Sequence, residues 1–186
     1  MQRRPGREHQ RVMFSLLLLA AVAIPLLTPG ERLPVLQGEF LTGRTAVLPE
    51  AANGRIALLA MGFSYESRFA VEAWVGRFRN QFDGQPQVTF YEIPLIGGMG
   101  RMGKWFIDGG MRRGTPRAEH EHVITVYGGT EPWKQRTGYR SPGAAGLILL
   151  DQRGIVNWRY TGMFSEEAYG ALARQTAGLL EAGSAR

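Results

Sequence analysis

Two histidines flank a glutamate in the segment His120-Glu121-His122, and imidazole and carboxylate groups are common ligands of Zn²⁺. Residues two apart on a strand lie on the same face, so both rings could approach one ion. The third histidine, His9, lies in the N-terminal segment, so a carboxylate would have to complete the set. A metal-dependent or hydrolytic enzyme using His120 and His122 is therefore an alternative. The simpler prediction is solvated residues at the entry of a strand, with no bound metal.

A glycine-rich stretch between Gly98 and Lys104 fits two phosphate-binding patterns. Residues 98–103 match G-x-G-x-x-G, and residues 98–104 match G-x-x-x-x-G-K. A phosphate loop needs Ser or Thr after its lysine to hold Mg²⁺, whereas Trp105 follows Lys104 here. A dinucleotide-binding fold needs further parallel βαβ units, and too little chain follows for them. We therefore predict a flexible glycine-rich connection and no cofactor, with nucleotide binding as an alternative.

Ser64 opens the segment Ser64-Tyr65-Glu66-Ser67, and its hydroxyl is a potential nucleophile. A nucleophilic serine needs a general base and an orienting acid, and His120 or His122 could act only if folding brings them close. Serine is also a favourable N-cap, because its oxygen accepts a hydrogen bond from an unpaired amide in the first helical turn. Capping explains Ser64 without catalysis, so we predict no catalytic residue.

The sequence of 186 residues is basic, but its charge is not distributed as in a nucleic-acid-binding protein. It has 22 Lys and Arg against 16 Asp and Glu, and the first 11 residues hold four of the arginines and one glutamate. Half of the net charge of +6 therefore lies in that short segment, and we predict no nucleic-acid partner. The absence of cysteine excludes disulfides, thiolate nucleophiles and cysteine-ligated metals.

Residues 1–30 have the features of a signal peptide or a signal anchor. A basic segment precedes residues 12–27, an uncharged and largely apolar run interrupted by Ser15 and Pro25. Ala21 and Ala23 give the small-x-small pattern that signal peptidase accepts. If the site is not cut, the run would anchor the chain, with the arginines in the cytoplasm and the domain outside. We therefore predict a cell-envelope protein, periplasmic or otherwise extracytoplasmic, which is soluble or anchored by residues 12–27.

The remaining residues, 31–186, predict one α/β domain. Residues 33–48 are extended and rich in turns, whereas the nearly continuous apolar run at 55–63 indicates a strand buried on both faces. After Ser64, apolar residues recur at helical spacing up to Phe82. The further predicted elements are strands at 87–96, 123–127, 147–151 and 155–159, a short helix at 104–112, one or two helical turns at 130–135, and a last helix from Ser165.

This order of elements resembles the thioredoxin superfamily in its peroxiredoxin-like branch. The clearest similarity is residues 147–156, where Asp151-Gln152-Arg153-Gly154 joins two apolar strands, followed by Gly162 before the last helix. The strand ending at Phe63 and the helix after Ser64 take the place of the redox βα unit of that superfamily. The resemblance implies a single thioredoxin-like domain with a central mixed sheet flanked by helices.

The residues that carry the chemistry of the superfamily are absent. Its Cys-x-x-Cys positions correspond to Ser64 and Ser67. Serine has no thiolate-like state near neutral pH, so thiol–disulfide exchange is impossible there. The position of its cis-proline corresponds to Ala145, with Pro142 three residues earlier. A thioredoxin-like domain without thiol redox activity is therefore predicted.

Three short motifs more narrowly resemble the assembly-factor family of the mitochondrial ATP synthase membrane sector, numbered ten among those factors, and its bacterial relatives. They are Gly62-Phe63-Ser64 with Trp74 and Phe78, residues 91–94, and residues 109–116. This resemblance implies a binding or assembly protein for a membrane complex, with ATP synthase as the complex. The candidate partner surface lies at the former redox site and at a loop over 110–116, and comprises Phe63, Ser64, Ser67, Gly110, Met111, Arg112, Arg113, Gly114 and Pro116.

Charge and apolar exposure add two details to this hypothesis. Arg112 and Arg113 would donate charge-assisted hydrogen bonds to an acidic protein partner. Several apolar residues nearby could form an exposed face for a partner helix, although ordinary packing onto the sheet is the interpretation that we favour. They are Met99, Met102, Trp105, Phe106 and Met111.

Overall fold

The computed structural model describes residues 24–98 and 101–184, with residues 101 and 102 described without their side chains. Residues 1–23, which include the predicted signal-peptidase site, and Met99 lie outside this part of the chain. Within it, seven strands and four helices follow one another along the sequence. The strands are β1 (Leu36–Phe40), β2 (Thr45–Leu48), β3 (Ile56–Gly62), β4 (Val88–Ile96), β5 (Ile124–Tyr127), β6 (Ala145–Leu150) and β7 (Val156–Gly162), and the helices are α1 (Ser67–Phe82), α2 (Arg101–Gly114), α3 (Thr130–Thr137) and α4 (Glu166–Ser184).

One mixed sheet contains all of these strands, in the order β2-β1-β5-β4-β3-β6-β7. β3 pairs in parallel with β4, and β4 with β5, so α1 and α2 are the crossover helices of two βαβ units. β6 pairs antiparallel with β3 and with β7, and β1 pairs antiparallel with β5. β3 lies between β4 and β6 and is buried over 56–61, as its uninterrupted apolar sequence predicts.

Helices cover both faces of the sheet. On one face, α1 and α4 pack against β3 and β6, and Trp74 of α1 lies fully buried among aromatic rings. Its ring centroid is within 6.4 Å of those of Trp158, Tyr160, Phe164 and Tyr169. On the other face, Trp133 of α3 and Leu27 and Leu33 of the preceding chain complete the core.

The chain before β1 packs on the domain from Leu27 onward. The amide of Leu27 donates to the carbonyl of Arg136, and the Arg159 guanidinium donates to the carbonyl of Leu27. Leu27, the last residue of the predicted apolar run, is therefore part of the folded core. Within residues 24–98 and 101–184, no helix is both long enough and apolar enough to span a bilayer.

Most of the predicted elements are confirmed, including the mixed sheet with helices on both faces, but three segments differ. Residues 33–48 form the β1–β2 hairpin rather than only an extended segment. Residues 110–114 belong to α2 and not to a loop. His120 and His122 lie in a turn at the entry to β5, so they do not share one side of a strand as the metal alternative would require. At α4 the Oγ of Ser165 accepts a hydrogen bond from the Ala168 amide, as expected for its cap.

The aromatic cluster around Trp74 gives a test of the core. Replacing Trp74 by Ala should lower the free energy of unfolding by about 3–5 kcal/mol, because it leaves a large cavity among closely packed rings. Trp105→Ala is a matched control, since that ring is exposed and its loss should cost less than about 0.5 kcal/mol. Urea unfolding followed by circular dichroism measures both changes, and equal losses would contradict this assignment of the core.

Candidate functional site

Two serines hold the turn between β3 and α1 with reciprocal hydrogen bonds. The fully buried Oγ of Ser67 accepts from the amides of Phe63 at 2.9 Å and Ser64 at 3.1 Å, and donates to the carbonyl of Ser64 at 2.8 Å. The Oγ of Ser64 accepts from the amide of Ser67, the first residue of α1, at 3.1 Å. Both serines, which the sequence resemblance matches to the thiols of thioredoxins, therefore satisfy backbone groups of the turn.

A second segment, the loop before β6, closes on this turn. The Oγ of Ser64 donates to the carbonyl of Pro142 at 2.6 Å, and the Tyr139 hydroxyl donates to the same carbonyl at 3.2 Å. The rings of Phe63 and Tyr139 are in contact, with their centroids 4.6 Å apart. Pro142 thus meets the serine turn although it is displaced in sequence from the expected proline position. We call these five residues, Phe63, Ser64, Ser67, Tyr139 and Pro142, the corner.

A groove of about 550 Å³ opens beside the corner, between the start of α1, the end of β4 and α2. Its walls are largely apolar and include Phe63, Tyr65, Pro94, Ile96, Ile107 and Met111. At its rim, the Arg68 guanidinium lies 4.3 Å from the ring centroid of Tyr65 and 4.5 Å from that of Phe69. A concave apolar surface with few polar groups is suited to an apolar side chain or peptide segment.

The groove continues over β4 into a smaller recess of about 200 Å³, which contains Glu72 and Glu92. Burial raises the pKa of the Glu92 carboxyl above its ordinary value. The charges of Glu72 and Glu119 raise it further, and Arg79 lowers it in part. The recess therefore contains the carboxyl groups of Glu72 and Glu92 together with Arg68, whereas the larger groove is lined mainly by apolar residues.

Polar contacts hold α2 over the sheet. The ammonium of Lys104 lies 2.5 Å from a carboxylate oxygen of Asp108 and 3.3 Å from one of Glu39. Asp108 is buried and also accepts a hydrogen bond of 2.6 Å from the Tyr127 hydroxyl. Burial raises the pKa of Tyr127, and its hydrogen bond to Asp108 raises it further. Burial by itself would lower the pKa of the Lys104 ammonium. The hydrogen bonds to Asp108 and Glu39 outweigh this effect, so the pKa is raised.

The contacts of Lys104 argue against nucleotide binding at residues 98–104. Two carboxylates neutralise Lys104, which would have to reach a phosphate in a P-loop, and the ammonium is directed at the sheet. Gly98 has the positive φ of 73° that a tight turn requires, and Gly100 lies outside the described residues. The geometry of Lys104 therefore gives no support to phosphate binding at this stretch.

The histidines also have other partners. The His120 ring hydrogen-bonds the carbonyl of Thr115 at 3.0 Å, and the His122 ring hydrogen-bonds that of Phe90 at 3.0 Å and stacks on its ring. In the described part of the chain, no group of three or more His, Cys, Asp and Glu side chains is placed to hold a metal ion. Among the same residues, neither ring hydrogen-bonds Ser64. The geometry of the described residues therefore gives no support to the metal-dependent or the hydrolytic alternative.

The structure brings only part of the predicted partner surface together. Phe63, Ser64 and Met111 line the groove, and Ser67 lies beneath it. The Arg112 side chain donates to the carbonyl of Leu41 at 2.7 Å and approaches Glu39, so its charge is already engaged within the chain. Gly110, Arg113 and Gly114 are exposed along α2, and Pro116 is exposed just after it.

Several residues of the site were not found from the sequence. Tyr139 and Pro142 reach the corner from a loop more than 70 positions away from Ser64, a distance at which no local pattern applies. Glu92 alternates with buried apolar residues on β4 and so has the sequence pattern of a solvent-facing position. The Lys104–Asp108 pair has the i, i+4 spacing of a helical ion pair, which was the available signal for α2.

Solved structures show what this arrangement is similar to, whereas no protein-family model and no curated protein matches the chain. A putative thiol:disulfide interchange protein DsbE from Chlorobium tepidum has a TM-score of 0.56 and 15% identity, covering 83% of this chain and 99% of that chain. For a thiol peroxidase from Chromobacterium violaceum the TM-score is 0.55 and the identity 15%, over 87% and 91% of the two chains. BsSco is named as a member of the Sco family of cytochrome c oxidase assembly proteins. Its TM-score is 0.56 and its identity 11%, covering 83% of this chain and 97% of that chain.

These likenesses define the fold of the protein. The chain is a single thioredoxin-like α/β domain, as its sequence predicts, and the similarity extends over nearly the whole of each of these solved structures. At identities of 15% or less they establish the fold and not the function. This domain differs from a thiol enzyme of that fold in having no cysteine.

The buried Ser67 hydroxyl gives a test of the corner. Ser67→Ala should lower the free energy of unfolding by about 1–3 kcal/mol, because two amides of the turn lose their acceptor in a buried place. Ser184→Ala is the control: that hydroxyl bonds one carbonyl at an exposed helix end, and its loss should change stability by less than about 0.5 kcal/mol. Urea unfolding measures both, and a Ser67→Ala variant as stable as the parent would refute the hydrogen-bonded turn.

The raised pKa of Glu92 predicts a pH dependence of stability. The folded chain holds this proton more tightly than the unfolded chain, so ionisation of Glu92 destabilises the fold as the pH rises above the ordinary glutamate value. Glu92→Gln should therefore gain stability relative to the parent as the pH is raised from about 4 to about 7. Urea unfolding at several pH values measures this difference, and a difference that does not change with pH would contradict the raised pKa.

Proposed function

We propose that this chain is a non-catalytic binding module of the cell envelope, whose groove holds an apolar segment of a partner protein. The observation that carries the proposal is the corner itself. Ser64 and Ser67 are bonded to the backbone and to Pro142, so the geometry beside the groove is maintained by hydroxyl groups. A surface that keeps its shape without its reactive groups is suited to binding rather than to turnover.

The chemistry of the corner supports a role without thiol exchange. Exchange proceeds by attack of a thiolate on a disulfide, and a serine hydroxyl cannot take that part near neutral pH. The Ser64 hydroxyl also donates its hydrogen bond to the Pro142 carbonyl, and among the described residues neither histidine ring bonds it. These contacts support binding in the groove over nucleophilic chemistry at the corner.

A location in the cell envelope is supported by the N-terminal sequence. Four arginines precede the uncharged run at 12–27, and such an arrangement keeps the arginines in the cytoplasm and carries the following domain across the membrane. Cleavage after Ala23 would release a soluble domain, and retention of the run would anchor it. Either form presents the same groove outside the cytoplasm.

The partner is proposed to be a membrane complex under assembly. Three motifs resemble the ATP synthase membrane-sector assembly factors, and two of their residues, Phe63 and Ser64, lie in the corner and line the groove. BsSco, which has the same fold, is named for a family of assembly proteins of a different membrane complex. The ATP synthase membrane sector is accordingly the complex to test first.

Affinity capture of the full-length protein from its native membrane in mild detergent, followed by mass spectrometry, tests this function. We expect membrane-sector subunits of ATP synthase to be enriched, and Tyr65→Ala/Ile107→Ala to reduce their recovery several-fold by removing two apolar walls of the groove. Val35→Ala, at an exposed apolar residue outside the groove, is the matched control and should leave recovery unchanged.

Two outcomes would count against the proposal. Recovery of the same subunits by the groove variant would show that the groove does not hold the partner. If no ATP synthase subunit is captured, the proposal that the partner complex is ATP synthase is refuted. Unfolding midpoints equal to that of the parent protein confirm that the variants are folded, as expected for residues at the surface.

A further inference from the structure

Two aromatic side chains stand on the exposed side of α2. Trp105 is 76% and Phe106 73% exposed, and their rings meet edge to face with centroids 5.7 Å apart. One helical turn later the chain has Gly109 and Gly110, which carry no side chain to cover them. The interpretation that these aromatics pack onto the sheet is therefore wrong, and the two rings project from the surface.

The helix that carries them is basic. Residues 101–114 contain four basic residues and one acidic residue, and the acidic one, Asp108, is buried on the inner side. Across the groove, Tyr65 is 71% and Phe69 55% exposed, with Arg68 between them. Exposed aromatics beside Lys and Arg are typical of helices that lie at a membrane surface, where the rings enter the headgroup layer and the cations meet anionic lipid.

The path of the chain from Leu33 back to Leu27 indicates, independently, from which side a membrane anchor would approach the domain. The amide of Leu33 bonds the carbonyl of Gly154, before the start of β7, and the amide of Gly30 bonds that of Val156. Further back, Leu27 is bonded by Arg159, nearer the end of β7. Followed toward the N-terminus, the chain therefore runs along β7 toward the end of that strand.

The end of β7 lies at the edge of the sheet that carries the corner. Gly162, the last residue of β7, pairs with Ala145, while Met61 at the end of β3 pairs with Gly146. Leu26 lies against Gly138, next to Tyr139 of the corner. α2 begins beyond the end of β4, which is parallel to β3, so Trp105 belongs to the same edge. An anchoring run that precedes residue 27 would thus approach the domain from the side of the corner and of the exposed aromatics.

We propose that Trp105 and Phe106 form a membrane-contact site, which enters the interfacial layer of an anionic bilayer and turns the groove toward the membrane. This inference goes beyond the proposed function, because it concerns lipid and not the protein partner. It requires the form of the chain that retains residues 12–27. Its consequence is that the groove of an anchored molecule faces segments emerging from the bilayer.

The size of the aromatic pair favours lipid over a protein as its occupant. A specific protein interface buries about 800 Å² on each partner, whereas an aromatic side chain offers about 150–250 Å². Two rings flanked by glycines fall short of such an interface, while a bilayer requires no shape complementarity. Lys104 and Arg112 are engaged with Asp108 and Glu39, so it is the exposed Arg113 of α2 and Arg68 across the groove that match the negative surface of anionic lipid.

Tryptophan quenching by brominated lipid tests the proposal on the full-length protein. The chain has four tryptophans and none in its first 30 residues; Trp74 and Trp133 are buried, and Trp158 is partly buried. The protein is reconstituted in vesicles of phosphatidylcholine and phosphatidylglycerol, with and without bromine on the acyl chains. We expect bromine to quench the fluorescence, and Trp105→Phe to lose most of that quenching. Trp133→Phe, at a buried ring, is the matched control and should retain it.

The other outcomes are equally decisive. Quenching that persists in Trp105→Phe, or no quenching in the parent protein, overturns the membrane-contact site. Equal quenching in vesicles of phosphatidylcholine alone overturns the preference for anionic lipid. Because the vesicles contain no partner protein, failure here leaves the groove proposal untouched, and failure of partner capture leaves this one untouched. A parent-like unfolding midpoint for Trp105→Phe establishes that the variant is folded.

Discussion

The hydrogen bond from Ser64 to the carbonyl of Pro142 joins two parts of the chain that are far apart in sequence, and the site is built around it. On one side, Ser64 and Ser67 satisfy the backbone of the turn that starts α1. On the other side, Pro142 belongs to the loop that leads into β6, the antiparallel neighbour of β3. A buried turn whose amides lack partners would be costly, so the two hydroxyls maintain the shape that the groove requires.

The two helices that border the groove are held by different forces. α1 buries Val71, Trp74 and Phe78 against the sheet and is positioned by apolar packing. α2 is held to a large extent by polar contacts, from Lys104 and Tyr127 to Asp108 and from Arg112 to the Leu41 carbonyl. This arrangement leaves the aromatic residues of α2 outside the core. The same geometry therefore accounts for the apolar groove, the engaged lysine and the exposed rings.

This chain has the thioredoxin-like fold but no cysteine to carry out thiol chemistry. The solved structures that it resembles include a thiol peroxidase and a putative thiol:disulfide interchange protein, whose names describe chemistry that a chain without thiols cannot perform itself. Serine at the two positions that the resemblance matches to the redox cysteines provides small polar side chains that fit a helix start. Under the proposed function this surface binds a partner, and we expect its specificity to depend on the apolar groove, the recess with Glu92 and the proposed orientation at the membrane.

The sequence by itself determined the main strands and helices of the domain and the absence of thiol chemistry. The continuous apolar run of β3, the helical spacing in α1 and the capping serine of α4 are local signals, and the absence of cysteine follows from composition. The hairpin β1–β2 gave no clear pattern, because both strands are short and mix buried and exposed residues. Tertiary structure alone decided that Pro142 meets Ser64, that His120 and His122 bond separate carbonyls, and that Trp105 points outward. In each case the reason is physical: an apolar or polar residue type is compatible with several surroundings, and only the packing of distant segments selects one.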